Sequence, residues 1–265
     1  MAVSMFLNEG EKVNKVMPLA NDLLFIHGIG VQNKANTFYL YHVAQQKEVF
    51  RISLPLEEGS WLSIQGALGK HVLLSKYSDP AMPITQGLFV FDIEQKAFVL
   101  SYPEFNLMMV HEQQVLVRKQ GDDENIYMLD LQTSNIELVQ DQKKLLNKLL
   151  TFNKKQESVI YPYHIGEDNA LYADLKEFVK QTTQHSICEN VEYMENASTN
   201  MLLSYYVKIQ EKLNQYMLVT NKDGNIVYHE VLQEAVQGMS YDVFMVIASV
   251  CVCVKHQNEI CFITL

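Results

Sequence analysis

Short apolar runs recur along this chain, and each is closed by a polar turn. Leu88-Phe89-Val90-Phe91-Asp92 leads through Glu94-Gln95-Lys96 into Ala97-Phe98-Val99-Leu100. Ile126-Tyr127-Met128-Leu129-Asp130 leads through Gln132-Thr133-Ser134-Asn135 into Ile136-Glu137-Leu138. Runs this short, bounded by turn residues, predict strands. Related segments begin at Tyr39, Leu171, Met217 and Cys261, so the markers start at 39, 89, 127, 171, 217 and 261, in steps of 50, 38, 44, 46 and 44. A further apolar run precedes each marker: Leu23–Ile26, Val72–Leu74, Val115–Val117, Val159–Tyr161, Met201–Leu203 and Phe244–Ile247. Weaker runs such as Trp61–Ile64 and Leu107–Val110 come before those. Asn221-Lys222-Asp223-Gly224 is the clearest hairpin turn, since Asp-Gly readily supplies positive φ.

A period of about 45 residues matches four short strands and their loops, the content of one propeller blade. The expected fold is all-β: a β-propeller of about six four-stranded blades, one domain over residues 1–265. Cys261–Leu265 supplies a third strand to the last unit. Ala2–Leu7 is expected to pair there, closing the ring and removing two exposed edges. Two stretches read differently. Leu145, Leu146, Leu149 and Leu150 have helical spacing within 141–152, and 173–182 is also compatible with helix. Were both helical, the blade count would fall.

The segments at 89, 127 and 217, with Val-Phe-Asp and Met-Leu-Asp ahead of a polar turn, resemble the repeats of β-propeller proteins of the broad quinoprotein-like and WD-type class. The resemblance spans most of the chain and implies the propeller fold. No Trp-Asp dipeptide, Gly-His opener, kelch double glycine or quinoprotein tryptophan motif is present, and Trp61 is the only Trp. No single family's functional residues carry over.

Composition narrows the partners. The formal net charge of −10 repels a polyanion, and Lys143-Lys144 and Lys154-Lys155 are only pairs, so no nucleic-acid partner is expected. The longest apolar run, Val243–Val254, is too short to span a bilayer and reads as a buried strand. Met1–Leu7 lacks the basic start of a signal peptide. The chain is therefore expected to be a cytoplasmic monomer with no membrane partner. Cys251 and Cys253 share a strand face, with Cys261 on the next run and His256 between. They read as buried thiols, not metal ligands, and no disulfide is expected.

Familiar catalytic signatures are missing. Gly28-Ile29-Gly30 follows a strand but opens no helix, so it is no dinucleotide site, and no cofactor is expected. Asp122-Asp123-Glu124 reads as a solvated hairpin tip. Asp92, Asp130 and Asp174 end apolar runs and read as turn-capping carboxylates. Laid side by side, the strands preceding the markers end in His27, Lys76, Arg118, His164 and Tyr205. At one level these five would form a partly cationic collar for a small anionic ligand. The alternative is strand ends meeting solvent. His27 and His164 sit most alike and could act as an acid/base pair or as metal ligands. The functional expectation is a non-catalytic binding module for a protein or a small anionic ligand. The alternative is a hydrolase or lyase working in the central channel.

Overall fold

Val72-Leu73-Leu74 shows how the sheets are held: all three residues are fully buried, so both faces of their strand are covered. The computed structural model of the protein describes residues 2–32, 35–54, 62–79, 82–111, 114–122, 124–145, 159–195, 200–240 and 242–265. Their strands form five sheets built on antiparallel pairs. The chain divides into two compact units. One comprises Met1–Val13, Val43–Lys47 and Gln156–Leu265, and the other Asn14–His42 and Glu48–Lys155.

Three four-stranded sheets carry most of the second unit, and in each the strand order follows the chain. They are β2 (Glu11–Pro18), β3 (Leu23–Gly30), β4 (Asn36–His42) and β5 (Lys47–Leu54); β6 (Leu62–Leu68), β7 (His71–Asp79), β8 (Met82–Asp92) and β9 (Ala97–Tyr102); and β10 (Phe105–His111), β11 (Gln114–Lys119), β12 (Tyr127–Leu129) and β13 (Ile136–Leu138). Alternation along a strand sends successive side chains to opposite faces. Val72, Leu74 and Phe91 pack with Phe25, Phe38 and Leu40 of the first sheet. Leu73, Leu88 and Val90 pack with Phe105, Val115 and Val117 of the third. The first contact is rich in rings: Phe38 and Phe91 lie 5.1 Å apart edge to face, an arrangement the ring quadrupoles favour.

The first unit holds two five-stranded sheets. One runs β15 (Tyr163–Ile165), β16 (Val191–Glu195), β17 (Met201–Ile209), β18 (Lys212–Thr220) and β19 (Ile226–Val236). The other runs β1 (Ala2–Phe6), β22 (Glu259–Thr264), β21 (Val250–Lys255), β20 (Phe244–Ile247) and β14 (Val159–Ile160). Leu202, Met217 and Val219 face Phe244, Val246, Cys251 and Ile263 of the second sheet. On the opposite face Leu203, Tyr205 and Val207 receive Tyr172, Leu175 and Val179 of the helix α1 (Ala170–Thr183).

Several expectations meet the structure here. Ala2–Phe6 does pair with the last strand, Val3 opposite Phe262 and Met5 opposite Ile260. The markers at 39, 89, 127, 217 and 261 lie on β4, β8, β12, β18 and β22. The marker at Leu171 is corrected: it opens α1, whose first turn is capped by Asn169 Oδ1 accepting the Leu171 N–H at 2.9 Å. Tyr172, Leu175 and Val179 form a helical stripe, not a strand's alternation, so the helical reading of 173–182 holds and the described residues carry five sheets where about six blades were expected. Residues 142–145 form a helical turn, and the remainder of 141–152 lies outside the described residues. Val159–Ile160 joins the last sheet instead of opening its own.

The turn carboxylates behave as their positions imply. Asp92 Oδ1 accepts the Glu94 and Gln95 N–H groups at 2.8 and 3.0 Å, and Asp130 Oδ1 accepts those of Gln132 and Thr133 at 2.7 and 3.1 Å. Burial works against ionised Asp92. The Gln95 N–H, the Lys70 ammonium and the Glu94 N–H outweigh it and hold the carboxyl below its usual range. Asp174 lies within α1 and is no turn cap. All four cysteines are free thiols.

Candidate binding site

The five collar residues divide between the two units, and two are fully spent inside their own sheets. His27, on β3, is completely buried. Its Nε2 lies 2.7 Å from Asn36 Oδ1 and its Nδ1 3.0 Å from Asn14 Nδ2. A carbonyl oxygen on one side and an amide donor on the other assign the neutral tautomer with the proton on Nε2. Tyr205, on β17, is also fully buried, its hydroxyl 3.0 Å from His185 Nδ1 and 2.8 Å from His229 Nε2. Burial pushes this phenol up to about 12 and both imidazoles below their ordinary value, so the trio reads as a neutral hydrogen-bonded chain within the core. Lys76 on β7 is partly buried, opposite Leu62 and Gln86. Arg118 on β11 stands opposite Asn106, with a buried Nε that has no hydrogen-bond partner among the described residues. His27 and His164 lie in different units, each among its own neighbours, so the acid/base pair is not formed within either.

His164 is the collar residue that leads to a site. It lies on the edge strand β15 with its side chain 40% exposed. The register places His164 opposite Glu192 on β16, and Glu192 opposite Ser204 on β17. These three therefore form a row across one face of the sheet. Gln215, on β18, extends it by donating from Nε2 to Ser204 Oγ at 3.2 Å and to the Tyr206 hydroxyl at 3.0 Å. The Ser240 N–H donates to that hydroxyl at 2.7 Å, and the Val243 N–H donates to Glu192 Oε2 at 3.0 Å. The segment entering β20 is thus tied over the row by backbone donors.

Glu192 is the unusual member. Its side chain is 7% exposed, yet Oε1 has no hydrogen-bond partner among the described residues. His164 Nδ1 stands 3.5 Å from that oxygen, within ion-pairing range but without hydrogen-bond geometry. On the other side of the imidazole, Nε2 lies 3.4 Å from Asp242 Oδ1. Burial drives the Glu192 carboxyl up to about 7, against the Val243 N–H, His164 and the Asp242 N–H, which hold it down. A recess of about 10 Å³ opens beside it, lined by His164, Glu192, Tyr206, Met239 and Ser240 among others. That volume admits about one water-sized group. A larger hollow of about 280 Å³ lies on the other unit between Leu116, Met128, Leu138 and Leu145. It is mainly apolar, and Leu145 is the last residue described before 159.

Glu192, Asp242 and Tyr206 did not figure in the reading of the sequence. A signal for Glu192 existed: period two in Val191-Glu192-Tyr193-Met194 places a carboxylate on the same face as Met194, which is buried. Asp242 had none, since its role depends on where the loop before β20 lies.

Fold and site together define an all-β protein of antiparallel sheets packed face to face within each unit, with a buried, under-bonded carboxylate at the bottom of a small surface recess. No protein-family model matches the chain, and no curated protein does. Among solved structures, a chain in the S. cerevisiae complex of variant Dbp5 bound to Nup159, variant Gle1, IP6 and ADP is similar over 98% of this chain and 94% of its own. The two share 9% identity with a TM-score of 0.33, which carries no argument. No helix among the described residues is long and apolar enough to cross a membrane.

Proposed function

We propose that the chain is a non-catalytic binding module of the β-propeller class, its sheets serving as blades and β1 as the clasp of a closed ring, and that it binds a protein partner over the β15–β16 face. The observation that carries the binding reading is the under-bonded Glu192 oxygen at a surface recess. A buried acceptor left without a donor costs about 1–3 kcal/mol, and a donor supplied by a partner recovers that cost. On the same side lies Tyr161, 41% exposed and near enough to Asp242 for that carboxylate to raise its phenol, a side chain that favours protein contact. The small anionic ligand is the weaker alternative, because His27 and Tyr205 are engaged within the core and the group left without a donor at the recess is a carboxylate oxygen.

Selection of peptides from a random display library against the whole protein tests this. Peptides chosen on the wild type are expected to lose at least tenfold in affinity for a Glu192→Gln, His164→Ala double variant that keeps its circular dichroism. Equal binding to both forms overturns the reading. A second reading, hydrolase or lyase chemistry, draws on a carboxyl ionising near 7 beside an imidazole, the pairing expected of a general acid and base. Conversion of a bound peptide by the wild type, lost in Glu192→Gln, would replace the first reading with the second.

A further inference from the structure

Within that binding reading, the recess also specifies which chemical group enters it. Three observations converge. The first is sign: the oxygen that lacks a donor is Glu192 Oε1, and the Asp242 carboxylate stands close by, 3.4 Å from the other side of His164. The incoming group must donate hydrogen bonds, and a positive charge is favoured. The second is size. About 10 Å³ holds one group the size of water, which suits a compact ammonium better than the planar guanidinium with its three nitrogens. The third is the rim. Met239 lines the recess and is 38% exposed. Tyr161 lies near enough to Asp242 that, after burial, this carboxylate is the further cause raising its phenol. A thioether beside a carboxylate-lined recess matches a cation on an apolar stem, the stem lying over Met239.

We propose that the recess between β15, β16 and residues Met239 and Ser240 receives a lysine side chain of a protein partner, its ammonium donating to Glu192 Oε1 while the Asp242 carboxylate beyond His164 adds to the negative field there. The net charge of −10 adds to this by drawing basic partners toward the chain. The groups facing Glu192 are His164 from β15, Tyr206 from β17 and Asp242 from the loop. The proposal has a pH signature. Glu192 must be ionised to accept the ammonium, and it ionises near 7. Binding therefore strengthens from pH 6 to pH 8 by about tenfold, the ratio of ionised carboxylate at the two values.

The test uses the whole protein and Nα-acetyl-lysine N-methylamide as probe, read by the Val243 amide and His164 imidazole resonances. Its norleucine and arginine counterparts, methylammonium and acetate are run in parallel. The proposal expects saturable shifts with the lysine probe and none with norleucine or acetate. It expects several-fold weaker binding of arginine and of methylammonium, which lacks the stem. The lysine response should fall about tenfold at pH 6 and be lost in Glu192→Gln, and Asp242→Asn should weaken it if Glu192→Gln does not fold. Equal binding of the arginine or norleucine probe, or of acetate, overturns the lysine assignment while leaving the recess a binding site. Silence toward every probe, with selected peptides indifferent to the Glu192→Gln, His164→Ala change, overturns both proposals.

Discussion

A carboxylate withdrawn from water with one oxygen left without a hydrogen-bond partner among the described residues is held at a cost to the fold, and Glu192 is such a residue. Its folded value near 7 stands above the ordinary 4.5. Between those values the unfolded chain releases the proton while the folded chain keeps it, so stability falls as pH rises through that window. Above pH 7 the loss amounts to about 3 kcal/mol relative to pH 4. Glu192→Gln removes the titrating group and keeps the shape and the acceptor for the Val243 N–H. It is expected to raise the melting temperature at pH 8 and to flatten the decline between pH 4.5 and 7, as measured by thermal unfolding across that range. A steeper decline in the variant would contradict this account. His27 is the contrast: both ring nitrogens have amide partners and the ring lies 5.2 Å from Phe38, so its burial is supported by polar and aromatic contacts alike.

At the scale of elements, α1 departs most from the strand pattern, and its cap is the simplest handle on it. Asn169→Ala removes the acceptor for the Leu171 N–H and is expected to cost about 1 kcal/mol. Asn169→Asp should restore that loss, and chemical denaturation of the three forms measures both. The strands were legible because most inner ones are runs of Val, Leu, Phe and Tyr buried on both faces, with a polar turn at each end. Asp92, Asp130 and Asn221 mark such turns. Asn221 Oδ1 accepts the Asp223 and Asn225 N–H groups at 3.0 and 2.9 Å, and Gly224 takes φ of 78°. The Leu171 run misled because Leu-Tyr begins a helical stripe as readily as a strand, and only Asn169 ahead of it and Leu175 and Val179 beyond distinguish the two. The five collar positions differ in their surroundings for another reason. A polar residue after an apolar run can stand half-exposed on an edge strand, as His164 does, or sit in an interior position among amides, as His27 does. Which one occurs depends on cross-strand neighbours that lie 9 to 13 positions away. Glu192 escaped notice because its partner donor is 51 positions distant.

At the scale of the whole molecule, the first unit depends on a strand that belongs to it only through long-range pairing. β1 contributes five registered residues against β22, and Met5 is buried among them. Deleting residues 2–7 is expected to lower the unfolding temperature by several degrees and to promote association, because the β22 edge then offers unpaired N–H and C=O groups to another chain. Met5→Pro should reproduce the effect, since proline supplies no N–H to the ladder. Differential scanning calorimetry with light scattering measures both quantities. An unchanged transition for the truncated form would mean that the last sheet is complete without β1.

Ser4 and Glu259, neighbours across that pairing, stand 255 positions apart in the chain. A ribosome adding about 5–20 residues per second therefore makes β1 roughly 10–50 seconds before its partner exists. During that interval the leading segment must stay unengaged while the sheets behind it form, and only when the trailing segment emerges can it be taken up. A bulky fusion ahead of Ala2 would be carried through this wait and then pulled against the sheet edge, so the choice of tag position bears directly on the yield of folded protein.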